Sequence, residues 1–99
     1  MAFYTYILAS RRNGTLYVGH TDDLRRRMGQ HHATGGGFAR RYGVKFLVWF
    51  ESFETRAGAF HRERAIKKWN RAWKLELIEN TNPGWRDFTD ELNSWLPFD

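Results

Sequence analysis

Residues 3–31 read FYTYILASRRNGTLYVGHTDDLRRRMGQH, and this stretch decides the fold. Aromatic and β-branched residues alternate over residues 3–8 and again over residues 16–18, which is typical of two β-strands. Asn13-Gly14 between them is a strong signal for a hairpin turn. The sequence therefore predicts an antiparallel strand pair near the start of the chain.

The length of the hairpin loop decides whether Tyr6 and Tyr17 can share a site. Side chains alternate between the two faces of a strand, so an even-numbered loop places both tyrosines on one face. With Asn13-Gly14 alone as the turn, the tyrosines are offset by roughly 14 Å along the strands, whereas a loop of residues 11–14 reduces the offset to roughly 7 Å. We expect the longer loop, because only that register brings the two phenols together.

An amphipathic helix is predicted after the second strand, capped by Thr21 or Asp22. Its inward stripe, at i, i+3, i+4 and i+7, consists of Leu24, Arg27, Met28 and His31. An arginine and a histidine directed at a sheet face with two tyrosines would suit a phosphate group. Arg27 could equally belong to a solvated run of three arginines, and His31 to a frayed helix end.

The remaining chain predicts one more strand and several helices. Val44–Phe53 is almost continuously apolar, which favours a third, central strand covered on both faces by helices. Thr55 is placed to cap a helix that runs to about Lys68, and helical sequence continues from there to Asn80. Residues 38–42 are interpreted as one helical turn after a glycine-rich loop. Apolar residues three or four positions apart predict a last helix at about 84–96.

The amino-acid composition is typical of one small folded domain with a basic surface. The 99 residues include five Trp, eight Phe and four Tyr, and the formal net charge is +5, which makes a polyanionic partner plausible. The absence of cysteine excludes disulfides and thiolate metal sites. The apolar stretch near the N-terminus is too short to span a membrane, so we expect a cytoplasmic protein that does not bind membranes.

Glu63 is the carboxylate with the most informative position. Glu63 comes three residues after Phe60 and three residues before Ile66, so it lies near the apolar stripe of a helix that is otherwise highly charged. A surface pair with Lys67 at i,i+4 explains the same spacing without any function. Trp69 and Trp73, interleaved with basic residues, suit either base stacking or core packing.

Several separated positions resemble, in order, the motifs of the GIY-YIG nuclease superfamily, in particular its short stand-alone bacterial members: Tyr4-Thr5-Tyr6, Tyr17-Val18-Gly19, Arg27, His31 and Glu63. Tyr4 stands where the name-giving motif has its first glycine, which carries no chemical group, so we expect the site to survive. The expected fold is α/β, with a small three-stranded antiparallel sheet flanked by four or five helices. A single domain is expected over residues 1–99, with its core at about 3–88.

The resemblance implies a metal-dependent endonuclease that hydrolyses DNA phosphodiester bonds, with DNA repair or recombination as the expected setting. The implied catalytic residues are Tyr6, Tyr17, Arg27, His31 and Glu63. Glu63 would hold a single Mg²⁺ or Mn²⁺, and one tyrosine would act as general base while the other orients it. Further nucleic-acid contacts are predicted at Gly19, His20, Arg40, Arg41, Lys67 and Asn82. A solvated loop histidine is the favoured interpretation of His20, and Asn82 could equally cap a helix before Pro83.

Two other classes of function fit the same sequence. The chain could be a non-catalytic nucleic-acid-binding module that uses only its basic face. It could also be a protein-interaction domain with an aromatic docking surface, and even a nuclease this small could take its specificity from a partner protein. Removal of the Glu63 carboxylate separates the first class from a nuclease, because a binding module never shows cleavage.

Overall fold

The computed structural model describes residues 2–33 and 46–89. In chain order these residues form strands β1 (Phe3–Ala9) and β2 (Leu16–Thr21), helix α1 (Leu24–Ala33), strand β3 (Phe46–Phe53) and helices α2 (Arg56–Lys68) and α3 (Arg71–Thr81). The predicted α/β class and three-stranded antiparallel sheet are confirmed. The described residues contain three helices, fewer than the four or five expected, and the predicted turn at 38–42 lies outside them. No helix in the described ranges is long and apolar enough to cross a membrane.

The hairpin between β1 and β2 has the longer of the two loops considered. The amide of Gly14 donates to the carbonyl of Arg11 at 2.9 Å, closing a four-residue turn, and Asn13 takes a left-handed φ of 58°. Leu8 consequently lies opposite Tyr17. This register confirms the shorter offset between the two tyrosines.

The strand order is β2-β1-β3, so β1 is central and the prediction of a central β3 is wrong. The outer edge of β3 is instead covered by the segment that follows α3. The amide of Phe88 donates to the Leu47 carbonyl at 2.8 Å, and the Leu47 amide donates to Asp87 Oδ1 at 3.1 Å. Both faces and the outer edge of β3 are covered. For this reason β3 has the apolar sequence that is typical of a central strand, although it lies at the edge of the sheet.

Helices cover both faces of the sheet. The side chains of β1 alternate between the two faces, and each face has its own apolar core. The α1 face contains Tyr6, Leu8, Leu24, Met28, Leu47 and Phe88. The opposite face, covered by α2 and α3, contains Ile7, Ala9, Val18, Val48, Trp49, Ile66, Ile78 and Trp85.

The first helix is capped one residue later than predicted. Oδ1 of Asp23 accepts a hydrogen bond from the Arg26 amide at 3.0 Å, so Asp23 is the N-cap in place of Thr21 or Asp22. Thr21 instead accepts from the Asp23 amide at 3.1 Å. Its hydroxyl thereby fixes the turn that leads from β2 into α1.

The predicted continuous helical stretch after residue 55 is two helices. Thr55 caps α2 as predicted, by accepting from the Gly58 amide at 3.0 Å. The chain then leaves the helix at Trp69, and Asn70 caps α3 by accepting from the Trp73 amide at 2.9 Å. The Asn70 side chain hydrogen-bonds to the backbone and so stabilises a break between the two helices. The apolar spacing alone does not reveal this break. Arg71, the first residue of α3, donates to the carbonyls of the hairpin turn.

The predicted C-terminal helix does not begin at residue 84. Trp85 has a φ of 55° and packs in the core on the α2 and α3 face, whereas Phe88 packs on the α1 face. Their spacing of three therefore reflects a chain that wraps around the edge of β3, and not one side of a helix. The rest of the predicted helix, from residue 90 onward, lies outside the described residues.

Asn82 is an interior clamp, which corrects its prediction as a nucleic-acid contact. Only 2% of the residue is exposed. Its Nδ2 donates to the carbonyls of Val48 at 3.0 Å and Arg86 at 2.9 Å, and its Oδ1 accepts from the Arg86 amide at 3.0 Å. The side chain thus binds the backbone of β3 to the wrapping segment.

We expect Asn82→Ala to lower the free energy of unfolding by about 2–3 kcal/mol, because it leaves buried backbone groups without a partner. Urea unfolding followed by circular dichroism measures this loss. Asn80→Ala, at an exposed position on α3, is the matched control and should change the free energy by less than about 0.5 kcal/mol. Equal stability of the two variants would contradict the assignment of Asn82 as a clamp.

Candidate active site

The two tyrosines of the motif meet on the α1 face of the sheet. Tyr6 on β1 and Tyr17 on β2 have ring centroids 6.3 Å apart, with planes tilted by 40°. Tyr6 is completely buried, whereas Tyr17 is half-buried. The paired phenols are therefore chemically distinct, since only Tyr17 is accessible to solvent.

Gly19 lies opposite Tyr6 in the strand pair and makes room for its phenol. A Cβ on Gly19 would lie 2.6 Å from Tyr6 Oη and 3.1 Å from Tyr17 Cε1. No side chain fits there without displacing the Tyr6 ring. Gly19 was predicted as a nucleic-acid contact, but it is buried, and the structure explains this glycine by the close approach of Tyr6.

We expect Gly19→Ala to cost about 1–3 kcal/mol of stability, the usual range for an inserted methyl group that has no space. Denaturant unfolding measures this cost. Gly84→Ala is the control, because its Cβ would meet only Arg86 Cγ at 3.8 Å, an ordinary contact. If Gly19→Ala is as stable as Gly84→Ala, the close approach of Tyr6 does not constrain this position.

Arg27 reaches the phenol of Tyr6 from α1. Burial is the largest cause of a raised Tyr6 pKa, and the neighbouring Tyr17 and Glu63 raise it further. The charge of Arg27 and its hydrogen bond to Tyr6 oppose these effects without overcoming them. Tyr6 therefore stays protonated at neutral pH. Arg27 therefore contacts Tyr6 of the tyrosine pair, as its position on the inward stripe predicts.

Glu63 is buried on α2, with 7% of its surface exposed. Its Oε1 is hydrogen-bonded to Nδ1 of His20, and its Oε2 accepts from Nζ of Lys67 at 2.8 Å. Burial alone would raise the pKa of Glu63, but the hydrogen bonds and charges of Lys67 and His20 lower it overall. The carboxylate is therefore ionised at neutral pH, and its charge reaches Tyr6.

His20 has a more central place than the sequence indicates. It was predicted as a possible nucleic-acid contact, and the structure places its ring on Glu63 and 5.6 Å from the ring of Phe60. The useful signal is the strand period, because His20 shares with Val18 the face that α2 covers. Lys67, also predicted as a nucleic-acid contact, forms the i,i+4 pair with Glu63. The predicted pair of Glu63 with Lys67 therefore forms, but the carboxylate is buried and does not lie at the surface.

The remaining predicted site residues are less well placed or lie outside the described part of the structure. Arg40 and Arg41 lie outside the described residues. His31 lies on α1, but its side chain is also outside the described part. Of the two tryptophans considered for stacking, Trp69 packs against the core and Trp73 is 56% exposed, so core packing is wrong for Trp73.

The donor set at Glu63 suits a hard divalent cation. Within residues 2–33 and 46–89, no three His, Cys, Asp or Glu side chains gather in one place. Mg²⁺ and similar ions need only one or two protein carboxylates, because water and substrate phosphate fill the other positions. The buried, ionised carboxylate of Glu63 fits that requirement.

Comparison with known proteins agrees with the motifs and the fold. A family model described as the GIY-YIG catalytic domain matches residues 2–76. A UPF0213 protein of Clostridium perfringens is 36% identical over 91 residues, covering 91% of this chain and 97% of that protein. A UPF0213 protein of Haloquadratum walsbyi is 39% identical over 77 residues, covering 77% of this chain and 85% of that protein.

A solved structure has the same fold. The solution NMR structure of a UPF0213 protein from Bacillus halodurans superposes with a TM-score of 0.56 at 28% identity, covering 91% of this chain and 96% of that one. The family model and the relatives each extend over most of this chain. The chain therefore belongs to the GIY-YIG family, a nuclease superfamily, and its relatives are UPF0213 proteins.

Proposed function

We propose that the protein is a metal-dependent endonuclease that hydrolyses phosphodiester bonds in DNA. The observation that carries the proposal is the tyrosine pair, with ring centroids 6.3 Å apart and a hydrogen bond from Arg27 to the Tyr6 phenol. The buried, ionised Glu63 on α2 adds a carboxylate whose charge raises the pKa of Tyr6. The net charge of +5 supports a polyanionic substrate. A cation that can bind phosphate, a carboxylate that can hold a divalent ion and a pair of phenols together can serve phosphodiester hydrolysis.

Tyr17 is the general base in this proposal, and Tyr6 positions it. Burial keeps Tyr6 protonated and away from solvent, so Tyr6 is poorly suited to remove a proton from water. Tyr17 is half-buried, and the centroid of its ring lies 6.3 Å from the centroid of the Tyr6 ring. A tyrosine acting as a base at neutral pH needs nearby positive charge, and in this proposal Arg27, which is hydrogen-bonded to Tyr6, supplies it.

Arg27 binds the scissile phosphate. Its guanidinium has five N–H donors, so the hydrogen bond to Tyr6 uses only part of its capacity. That hydrogen bond holds the flexible side chain against a buried phenol and reduces the entropy that phosphate binding would cost. The planar fork of the guanidinium matches two oxygens of a phosphate group.

Glu63 holds a single Mg²⁺ or Mn²⁺, and His20 and Lys67 keep its carboxylate ionised. A bound divalent ion stabilises negative charge on the scissile phosphate and on its leaving oxygen. Lys67 is half-exposed, with 49% of its side chain accessible. Its ammonium group therefore also adds positive charge beside the strand to be cleaved.

The proposal is tested by incubating the purified chain with labelled duplex, branched, damaged and single-stranded DNA, in Mg²⁺, in Mn²⁺ and in EDTA. We expect metal-dependent cleavage of at least one DNA and no cleavage in EDTA. Salt-sensitive binding without cleavage in either metal would support a non-catalytic binding module. If the chain binds none of these DNAs at low salt but copurifies with another protein, the result would support a protein-interaction domain.

A further inference from the structure

The ring of His20 is held at the carboxylate of Glu63 by parts of the fold that do not depend on a ligand. His20 is paired with Thr5 of the central strand, and Thr5 donates to the Ala59 carbonyl of α2 at 2.7 Å. Phe60 contacts the His20 ring edge-on at 5.6 Å. Strand pairing, a buried hydrogen bond and an aromatic contact therefore fix β2 and α2 relative to each other at this point.

The two side chains present one nitrogen and one oxygen to the same place. Nδ1 of His20 and Oε1 of Glu63 are in hydrogen-bond contact, and 26% of the His20 side chain is exposed. Adjacent ligands of one octahedral ion lie roughly 3 Å apart, given metal–ligand distances of about 2.1 Å. A small separation of these two atoms would therefore let both of them bind one metal ion.

We propose that His20 is a second protein ligand of the divalent ion, alongside Glu63. The inference rests on the proposed function only in placing an ion at Glu63. Imidazole nitrogen is a good ligand for first-row transition metals, whereas Mg²⁺ strongly prefers oxygen. A nitrogen and oxygen donor pair consequently gives this site a preference for Mn²⁺ over Mg²⁺.

A purely positioning role for His20 gives a different result. A histidine that only orients Glu63 would support Mg²⁺ and Mn²⁺ equally, and its nitrogen would not be bonded to the ion. Loss of a metal ligand should reduce the affinity for the metal at least roughly tenfold, because loss of a residue that only hydrogen-bonds to a ligand already has an effect of that size. The ratio of the two affinities and the identity of the bonded atoms therefore separate the two roles.

The test is Mn²⁺ and Mg²⁺ binding to the full chain without DNA, by calorimetry, combined with pulsed electron paramagnetic resonance of bound Mn²⁺. The resonance experiment detects a directly coordinated ¹⁴N. We expect wild type to show a histidine ¹⁴N coupling, and His20→Ala to lose it, with Mn²⁺ affinity falling at least tenfold and Mg²⁺ affinity changing much less. His61→Ala, an exposed histidine two residues from Glu63, should keep both the coupling and the affinity.

Three outcomes would overturn the inference. If wild type binds Mn²⁺ but shows no ¹⁴N coupling, His20 is a positioning residue and not a ligand. The proposed nuclease function would still be supported in that case by metal-dependent cleavage that requires Glu63. Equal losses of Mn²⁺ and Mg²⁺ affinity in His20→Ala have the same meaning. Absence of any Mn²⁺ binding removes the site itself. In contrast, ¹⁴N coupling in a chain that cleaves no DNA would support the His20 ligand and contradict the proposed function.

Discussion

We expect Glu63→Gln to reduce the rate of DNA cleavage by at least roughly a thousandfold, the scale on which a preorganised charge contributes to catalysis. Glutamine has nearly the same shape as glutamate and can still accept a hydrogen bond from Lys67. The variant therefore removes the negative charge and leaves the packing of α2 almost unchanged. Single-turnover cleavage with saturating protein measures the effect on the chemical step, apart from any effect on DNA affinity.

DNA binding should survive this substitution. The affinity of Glu63→Gln for DNA, measured by fluorescence anisotropy in EDTA, should equal that of wild type or exceed it, because a negative charge has been removed from a basic surface. Glu76→Gln, at an exposed position on α3, is the control and should cleave at the wild-type rate. Retention of more than a tenth of wild-type cleavage by Glu63→Gln would mean that the carboxylate is not part of the catalytic site.

The second large effect is expected from Tyr17→Phe, which should slow cleavage by roughly 10²–10⁴-fold, the usual contribution of a general base. The variant removes one oxygen from a half-buried residue and leaves its ring beside Tyr6. The free energy of unfolding should change little. The measurement is the single-turnover rate between pH 6 and pH 9.

Tyr6→Phe is the matched variant, because the two phenols differ in burial. It removes a buried hydroxyl that is hydrogen-bonded to Arg27. We therefore expect a loss of about 1–2 kcal/mol in stability and a smaller loss of cleavage than in Tyr17→Phe. A larger loss of cleavage in Tyr6→Phe than in Tyr17→Phe would reverse the roles of the two tyrosines.

The sequence predicts the tyrosine pair well because that prediction rests on two strong local rules. Side chains alternate along a strand, and an even loop keeps two residues on one face, so only the loop length was open. Choosing the loop that lets the phenols meet led to the register that pairs Leu8 with Tyr17. Local geometry thus determines the part of the site built from one hairpin.

Residues that depend on distant parts of the chain were harder to place. Apolar sequence in β3 could not distinguish a central strand from an edge covered by another segment, because both exclude water from the strand. The spacing of Trp85 and Phe88 could not distinguish a helix from a chain that wraps around that edge. The position of His20 on Glu63 depends on a contact between residues 43 positions apart in sequence, which no local pattern encodes.

The four-residue turn that Arg71 holds to α3 has a consequence for how this gene can change. A single residue inserted or deleted between this turn and Tyr17 would, with the four-residue turn kept, move the rest of β2 to the opposite side of the sheet. Tyr17 would then leave Tyr6, and His20 would leave Glu63, although every codon of the proposed site would be intact. Relatives with a different hairpin length should therefore carry the difference within the turn itself, or carry a bulge that restores the phase.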